Sequence, residues 1–285
     1  MSGKSVDLVD YRVQFKPGGV LPGSHRGAHA GSGHELRALV PLNDHPDPRR
    51  LDLRASLRDP YQRLWVRDFK QNSALKVFVL ADVSASMAYH GRRDKFELLR
   101  RITMALAHSA WRSGDRFGLY AADEQLRREL SLPARINKGA AQWLDRRLSG
   151  FTPSGRSALG LLQAVAQLPG KRALVFLISD FGWPEDDTRR ILRALAHHEV
   201  VPIVLWDAAE DRDIPRWGIA RLRDSETGRS RFVWLRPKWR ERLLVAYATR
   251  REALMRLCRE AGRRPFFVLD DFEPAQLTRY FLEAA

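Results

Sequence analysis

Hydrophobic residues follow two alternating patterns from residue 74 onward. Continuous apolar runs rich in branched side chains predict strands buried on both faces, and they lie at 74–81, 116–122, 172–179 and 200–206. Apolar positions at helical spacing predict helices near 94–114, 137–149, 156–168, 184–198, 238–261 and 274–284. Strands that alternate with helices predict an α/β fold with a Rossmann-like, doubly wound, mainly parallel sheet.

The first part of the chain has a different pattern. Residues 1–73 are rich in Gly, Pro and His and have no long helical period, which predicts a small β/loop-rich N-terminal subdomain. Its apolar stretches, such as YQRLWVRDF, are too hydrophobic for a disordered arm, so we expect the segment to pack against the core. Residues 74–285 then form the α/β domain, with a hairpin insertion near 216–236 around DSETG. Pro202 has no backbone N–H to donate, so we expect the paired part of the strand at 200–206 to begin there.

Composition narrows the class of protein. The chain has 285 residues and one cysteine, which excludes an internal disulfide framework and favours a reducing compartment. The segment MSGKSVDLVDYRVQF mixes charged with apolar residues, unlike a secretory signal. No apolar run approaches the ~20 residues of a membrane helix. We therefore expect a cytoplasmic protein, and we expect Cys258 to pack in the core because its helical neighbours are apolar.

The charge balance is strongly basic. The formal net charge is +15, yet the arginines are spread along the chain mostly as pairs and form no long run. A balance this basic suggests an acidic partner, which could be nucleic acid, an anionic membrane face or an acidic protein, whereas the spread of the arginines favours an ordinary dispersed surface charge. The alternative is a basic nucleic-acid-binding protein, although the eight tryptophans are scattered and the chain has no recognisable nucleic-acid-binding motif.

Polar side chains interrupt the apolar pattern where the buried strands end. Asp82, Ser84 and Ser86 directly follow one strand, and Asp180 follows another. Ligand sites of open parallel sheets lie at the carboxyl ends of strands, so we expect these groups to lie close together. Between them, the loop FTPSGRSALG carries further hydroxyls. Carboxylates and hydroxyls without Cys or His favour a hard cation, Mg²⁺ first, with Mn²⁺ or Ca²⁺ as alternatives.

The motif Asp82-Val-Ser84-Ala-Ser86 resembles the D-x-S-x-S signature of von Willebrand factor A domains that carry a metal-ion-dependent adhesion site. The resemblance implies that Asp180 and a loop hydroxyl complete the metal site. Ser157 stands where that family has Thr, and Arg156 replaces a glycine of the family pattern. The alternatives for the third hydroxyl are Ser154 and Thr152.

The preceding segment narrows the resemblance. DHPDPRRLDLRAS, then WVRDF, then the strand with D-x-S-x-S, resembles a bacterial family associated with MoxR-type AAA+ ATPases and formerly of unknown function. Its short form, in which no membrane helix is expected, resembles the member found with methanol dehydrogenase assembly genes. The resemblance implies an adaptor of such an ATPase in the maturation or activation of a client complex. It also implies that an acidic residue of a partner completes the metal site.

Enzymatic interpretations have less support. A serine hydrolase could pair one of the serines with His90, but the G-x-S-x-G turn is missing from the sequence. The sequence LPGKRA lacks the earlier glycine and the following Ser or Thr of a phosphate-binding loop. We therefore predict a non-enzymatic protein whose ATPase activity belongs to the partner. His25, His29 and His34 form a second, looser candidate for metal binding.

Overall fold

In a computed structural model, the described residues are 8–13, 15, 22–31, 35–44, 46–89, 93–207, 218–223, 230–235, 237–269 and 271–284. The strands within these ranges are β1 (Pro22–Gly31), β2 (Glu35–Pro41), β3 (Trp65–Ser73), β4 (Lys76–Asp82), β5 (Arg116–Ala122), β6 (Leu126–Arg135), β7 (Leu174–Ser179), β8 (Glu199–Leu205), β9 (Gly218–Arg223), β10 (Ser230–Leu235) and β11 (Phe266–Val268). The α-helices are α1 (Leu53–Leu57), α2 (Lys95–Arg112), α3 (Ala140–Ser149), α4 (Gly160–Ala166), α5 (Glu185–Ala194), α6 (Pro237–Glu260) and α7 (Pro274–Ala284). Short 3-10 helices span Pro48–Arg50 and Ala85–Ala88.

A six-stranded sheet in the order β11-β8-β7-β4-β5-β6 forms the centre of the molecule. Its strands are parallel except for β6, which pairs antiparallel with β5 at one edge. The residues of β4 and β7 are almost fully buried, as expected for central parallel strands. The predicted α/β fold with a mainly parallel sheet is confirmed.

Helices cover the sheet on both faces because each contributes one apolar stripe. Buried residues of α2, α3 and α7 join one hydrophobic cluster with one face of the strands. Buried residues of α4, α5 and α6 join the cluster on the other face. Cys258 lies fully buried in this second cluster, where burial raises the pKa of its thiol to about 12. The predicted core position of Cys258 is confirmed.

Two details of the sheet differ from the sequence prediction. The prediction that pairing begins at Pro202 is wrong: β8 pairs with β7 from Glu199 onward, and Pro202 lies opposite Leu177. On its other side, β8 pairs with β11 through residues 203–205, so among the described residues Pro202 has a strand partner on one side only. A proline is tolerated where one side of a strand needs no donor. The second difference is β6, which the apolar pattern did not predict.

The N-terminal part forms its own antiparallel sheet in the order β1-β3-β2. Residues ahead of this sheet reach the main core, where Val9 and Tyr11 are buried among residues of α2, α7 and the strands. A second pair of strands, β9 and β10, forms an antiparallel hairpin, and the DSETG turn lies outside the described residues. The division into an N-terminal subdomain and an α/β domain at residue 73 stays a prediction.

The helices also bear on membrane association. The longest, α6, has 24 residues and includes many arginines. Within the described ranges, no helix combines the length and the apolarity that a bilayer span requires. The expected cytoplasmic location stays a prediction.

Candidate metal centre

The neighbouring parallel strands β4 and β7 bring the two predicted carboxylates to the same edge of the sheet. Ala81 of β4 lies opposite Ile178 of β7, so Asp82 is level with Ser179, and Asp180 follows one residue later at the same end of the sheet. Both side chains are buried. The carboxyl ends of parallel strands therefore place two acidic groups side by side in a low-dielectric setting, as the pattern of polar residues predicted.

Asp82 is held by hydrogen bonds to both of its carboxylate oxygens. Its Oδ1 accepts a bond from the backbone N–H of Ser84 at 2.9 Å, and its Oδ2 accepts one from the Ser179 hydroxyl at 2.7 Å. Burial, and after it the nearby charge of Asp180, raise the pKa of the Asp82 carboxyl to about 7, against the lowering effect of these bonds. A cation at this position would offset the cost of ionising a buried acid.

The two serines connect Asp82 to Asp180. The 3-10 turn Ala85–Ala88 brings the Oγ atoms of Ser84 and Ser86 to 3.2 Å of each other. The Ser86 hydroxyl then donates to Oδ1 of Asp180 at 3.1 Å. Asp82, Ser84, Ser86 and Asp180 thus form one continuous cluster of oxygen atoms, which we call the oxygen cluster.

Ser157 does not join the oxygen cluster by a hydrogen bond. Its Oγ accepts from the backbone N–H of Leu159 at 3.1 Å, ahead of α4. The loop itself is tied to the D-x-S-x-S segment, because Ser154 N donates to Val83 O and Ala85 N donates to Gly155 O. The hydroxyls of Thr152 and Ser154 make no side-chain hydrogen bond with the described residues. The choice among the three loop hydroxyls stays open.

Lys95 is a part of the site that the sequence interpretation missed. Its Nζ lies 3.1 Å from Oδ2 of Asp180, and both side chains are about 95 % buried. The same ammonium lies 5.2 Å from the centre of the Tyr89 ring. The signal was present in the sequence, because Lys95 follows the N-cap Asp94 in the first turn of α2, where the helix dipole disfavours a cation.

Hydrogen bonds to its backbone also fix the position of Asp180. Its carbonyl oxygen accepts bonds from Trp206 Nε1 and from Arg250 Nη2, each at 3.0 Å. The next residue, Phe181, has φ of +51°, and its N–H donates to the Ser179 hydroxyl at 2.8 Å. A non-glycine residue in the left-handed region is held by its surroundings and is typical of functional turns.

Two further aspartates lie on the same edge of the sheet and were also missed. Buried aspartates follow four neighbouring parallel strands, at positions Asp82, Asp123, Asp180 and Asp207. Asp123 accepts a bond from Nε of Arg127 at 2.8 Å, and Asp207 accepts one from the backbone N–H of Arg93 at 3.3 Å. In the sequence, each of the two comes within two residues of the end of an apolar run. These partners give Asp123 and Asp207 a structural role beside the oxygen cluster.

The oxygen cluster fits a hard divalent cation in its donor chemistry. All its donors are carboxylate or hydroxyl oxygens, the ligands that Mg²⁺ and Ca²⁺ prefer. The described residues contain no group of three or more His, Cys, Asp or Glu side chains suited to a metal, and the oxygen cluster itself has two carboxylates beside its hydroxyls. The looser histidine site is only partly within the described residues: His25 contacts Asp115 at 2.9 Å, whereas His34 and the side chain of His29 lie outside them.

Similarity to known proteins extends over most of the chain. Residues 45–253 match a family described as "Protein of unknown function DUF58". An uncharacterized protein in the moxR 3′ region of Paracoccus denitrificans is 41% identical over 98 residues, which is 34% of this chain and 93% of that protein. An uncharacterized protein of Mycobacterium tuberculosis is 26% identical over 259 residues, covering 89% of this chain and 80% of the relative.

The sequence identity to solved structures is lower than the identity to these relatives. BatB from Bacteroides thetaiotaomicron is 14% identical, with a TM-score of 0.48 over 74% of this chain and 97% of that one. The SpRpn10 VWA domain is 12% identical, with a TM-score of 0.38 over 74% of this chain and 95% of that one. The family match rests on sequence and spans most of the chain, including the oxygen cluster. The chain belongs to the DUF58 family of proteins of unknown function.

Proposed function

We propose that this protein is a metal-dependent protein–protein interaction module that acts as the adaptor of a MoxR-type AAA+ ATPase. The observation that carries the proposal is the oxygen cluster itself. Two buried carboxylates and two hydroxyls meet at the carboxyl edge of a parallel sheet, where open α/β folds bind ligands. The resemblance to von Willebrand factor A domains gives this arrangement its functional meaning.

In this proposal, Asp82, Ser84, Ser86 and Asp180 hold the cation, with a hydroxyl from Ser157 or its loop neighbours. The bound cation would supply positive charge at the protein surface for an acidic side chain of a partner. Mg²⁺ suits the proposal because it commonly binds through one or two carboxylates and retains exchangeable waters. Ca²⁺ and Mn²⁺ share the preference for oxygen and are the alternatives.

Two observations support an ATPase partner. The Paracoccus denitrificans relative is described as a protein in the moxR 3′ region. The net charge of +15 would speed association with an acidic partner through long-range attraction. The resemblance to the short form MxaS extends the proposal to a client, the methanol dehydrogenase complex and the insertion of its metal.

A non-enzymatic role agrees with the contacts in the site. Among the described residues, the hydroxyls of Ser84 and Ser86 contact oxygen atoms and no histidine. His90, the base considered for a serine nucleophile, lies outside the described residues. A serine nucleophile needs a base within hydrogen-bonding reach. The hydrogen bonds between oxygen atoms support cation binding as the chemistry of this cluster.

Metal binding is tested with Asp82→Asn, which keeps the shape of the side chain and removes its charge. Calorimetry with Mg²⁺, Mn²⁺ and Ca²⁺ should show one site in the wild type and affinity at least about tenfold lower in the variant. Asp115→Asn is the matched control, because Asp115 is equally buried but precedes β5 at the opposite edge of the sheet. Equal affinity in all three proteins would place the metal elsewhere. Ser157→Ala, Ser154→Ala and Thr152→Ala identify the third hydroxyl.

The adaptor role is tested by surface-bound kinetics with the ATPase. We expect EDTA and Asp82→Asn to accelerate dissociation, because each removes the bridging cation. Added salt should mainly slow association, because it screens surface charge. If the folded variant binds the ATPase as tightly as the wild type and EDTA has no effect, the oxygen cluster is not the docking point for this partner.

A further inference from the structure

A cavity of about 270 Å³ lies at the amino ends of the parallel strands, whereas the oxygen cluster lies at their carboxyl ends. Its walls include the segment before β7, the start of β8 and the turn that leads into β11, so it lies at the amino ends of three parallel strands. The N-terminal segment and α7 complete the walls. Five separate parts of the chain therefore converge on one cavity that the proposed function does not use.

The charge of this cavity is strongly positive. Four arginines line it together with one acidic residue, Glu199, within the described part of the chain. The arginines are Arg12, Arg172, Arg263 and Arg264. Ordinary surfaces intersperse both signs of charge, so four guanidinium groups around one concavity indicate a site for an anion.

Two of the arginines are fixed in place by the protein. Arg263 Nη2 donates to the carbonyl oxygens of Ala196 and His198, at 3.2 and 2.5 Å. Arg264 pairs with Glu283 at 2.6 Å, and its guanidinium lies 5.1 Å from the centre of the Tyr280 ring. These contacts hold the guanidinium groups of Arg263 and Arg264 at the cavity. Each guanidinium still has further N–H donors that can bind a ligand.

The other two arginines lack a carboxylate partner among the described residues. Arg172 lies 4.9 Å over the ring of Phe15, and no described side chain forms an ion pair with Arg12 or Arg172. The cluster is also mutually repulsive. Burial lowers the pKa of Arg263, and the charge of Arg172 lowers it further against the opposing effect of Glu199. An anion placed between these groups would remove the repulsion.

We propose that this cavity binds a phosphate-bearing small molecule, with the guanidinium groups of Arg172 and Arg263 as its principal contacts. Planar guanidinium forks match the oxygen geometry of phosphate and give short, charge-assisted bonds. Four arginines line the cavity against Glu199, and Glu283 pairs with Arg264 from outside the lining, so two positive charges remain and favour a multiply charged anion over a simple carboxylate. The apolar side of the cavity, formed by Tyr280 and Phe281, suits an organic part of the ligand.

The proposal is tested by titrating the full chain with inorganic phosphate, pyrophosphate or ATP in EDTA, so that the oxygen cluster does not contribute. Calorimetry should show one saturable site, tightest for pyrophosphate or ATP. Arg172→Gln should weaken binding at least about tenfold. Its side chain is exposed, so circular dichroism and the melting temperature should stay unchanged. Arg263→Gln should weaken binding as well, although its bonds to the backbone make it the riskier variant. Arg147→Gln on α3 is the matched control, an exposed arginine that stacks on Trp143 away from the cavity.

The ligand series also identifies the source of the phosphate. Tighter binding of pyrophosphate than of ATP indicates a free oxyanion, and the reverse indicates a nucleotide-like molecule. Binding by none of the three anions, or equal loss in Arg172→Gln and Arg147→Gln, would overturn the proposal. Binding of a DNA duplex without binding of pyrophosphate would also overturn it and favour a nucleic-acid surface. Because metal is absent throughout, these outcomes are independent of the oxygen cluster.

Discussion

Asp82 is the side chain with the largest electrostatic consequence in the candidate metal centre. It is fully buried beside a second carboxylate, which makes its ionised form costly. Two hydrogen bonds offset only part of this cost of ionisation. Its ordinary pKa of 3.8 is raised to about 7, first by burial and then by the charge of Asp180. Near neutral pH, the residue is therefore poised between a neutral acid and an anion, and a divalent cation would favour the anion.

This pKa predicts how stability depends on pH in EDTA. As pH rises above 3.8, the unfolded chain ionises Asp82 first, whereas the folded chain keeps the proton until about pH 7. The contribution of the protonated Asp82 carboxyl to the free energy of unfolding is fully present below pH 3.8. It is lost as pH rises through about 7, and the total loss is on the order of 4 kcal/mol. We expect thermal melts between pH 5 and 7.5 to show this loss in the wild type and a flatter profile in Asp82→Asn. Parallel profiles would assign the slope to other groups.

Lys95 should act as a built-in competitor of the metal. Its ammonium contacts Asp180 in the buried site, so it stabilises that carboxylate and repels a second cation. Lys95→Met keeps most of the apolar stem. In EDTA, it should lower the free energy of unfolding by about 3 kcal/mol, because it leaves a buried carboxylate without its charge partner.

The same variant should bind Mg²⁺ about tenfold more tightly, and Lys95→Arg, which keeps the charge, should not. Calorimetry and chemical denaturation separate these two effects. Weaker metal binding in Lys95→Met would show that the ammonium organises the site and does not compete with the cation.

The loop between α3 and α4 is the element that connects the candidate site to the rest of the sheet. It is tied to the D-x-S-x-S segment at one end, and at the other Gly160 N donates to Asp123 O at 2.8 Å, just after β5. Gly155 in this loop has φ of +88°, a conformation that glycine adopts without strain. The loop hydroxyls are thus carried on a backbone that contacts both neighbouring strand ends.

Gly160 is expected to be intolerant of any side chain. A Cβ there would come within 2.6 Å of backbone atoms of Asp123 and Gln125, which cannot rotate away. Gly160→Ala should lower the free energy of unfolding by about 1–3 kcal/mol. Gly170→Ala is the control, because its Cβ would meet no atom within 4 Å. Urea denaturation compares the two variants, and equal midpoints would mean that the strand ends shift without cost.

The elements show what the sequence pattern could and could not predict. Uniformly buried strands such as β4 and β7 were identified because every position is apolar. Strand β6 was missed because, in LRRELSLPAR, it has one fully buried residue, Leu130, and lies at the edge of the sheet. The pairing of Asp82 with Asp180 followed from strand direction alone. The contact of Lys95 with Asp180 depends on how α2 packs over the sheet, which periodicity does not specify.

The whole molecule separates two kinds of chemistry on opposite edges of one sheet. Carboxylates and hydroxyls lie at the carboxyl ends of β4 and β7, and arginines surround the cavity at the amino ends of β7, β8 and β11. Part of the net charge of +15 is therefore concentrated in one concavity, and elsewhere several arginines are already paired with acids or stacked on rings. This arrangement favours two separate ligands over one extended nucleic-acid surface.

The aromatic contacts of Tyr11 have a consequence for the synthesis of the protein. Its ring meets Phe176 from the middle of the chain and Phe281 from α7, and the neighbouring Asp10 N–H donates to Thr278 across 268 positions. Contacts this distant in sequence close late and slow the folding of a chain. Until the ribosome has synthesised α7, the apolar surface that α7 covers in the folded protein stays exposed to water. Chaperones that recognise exposed apolar surface would therefore meet this protein during its translation.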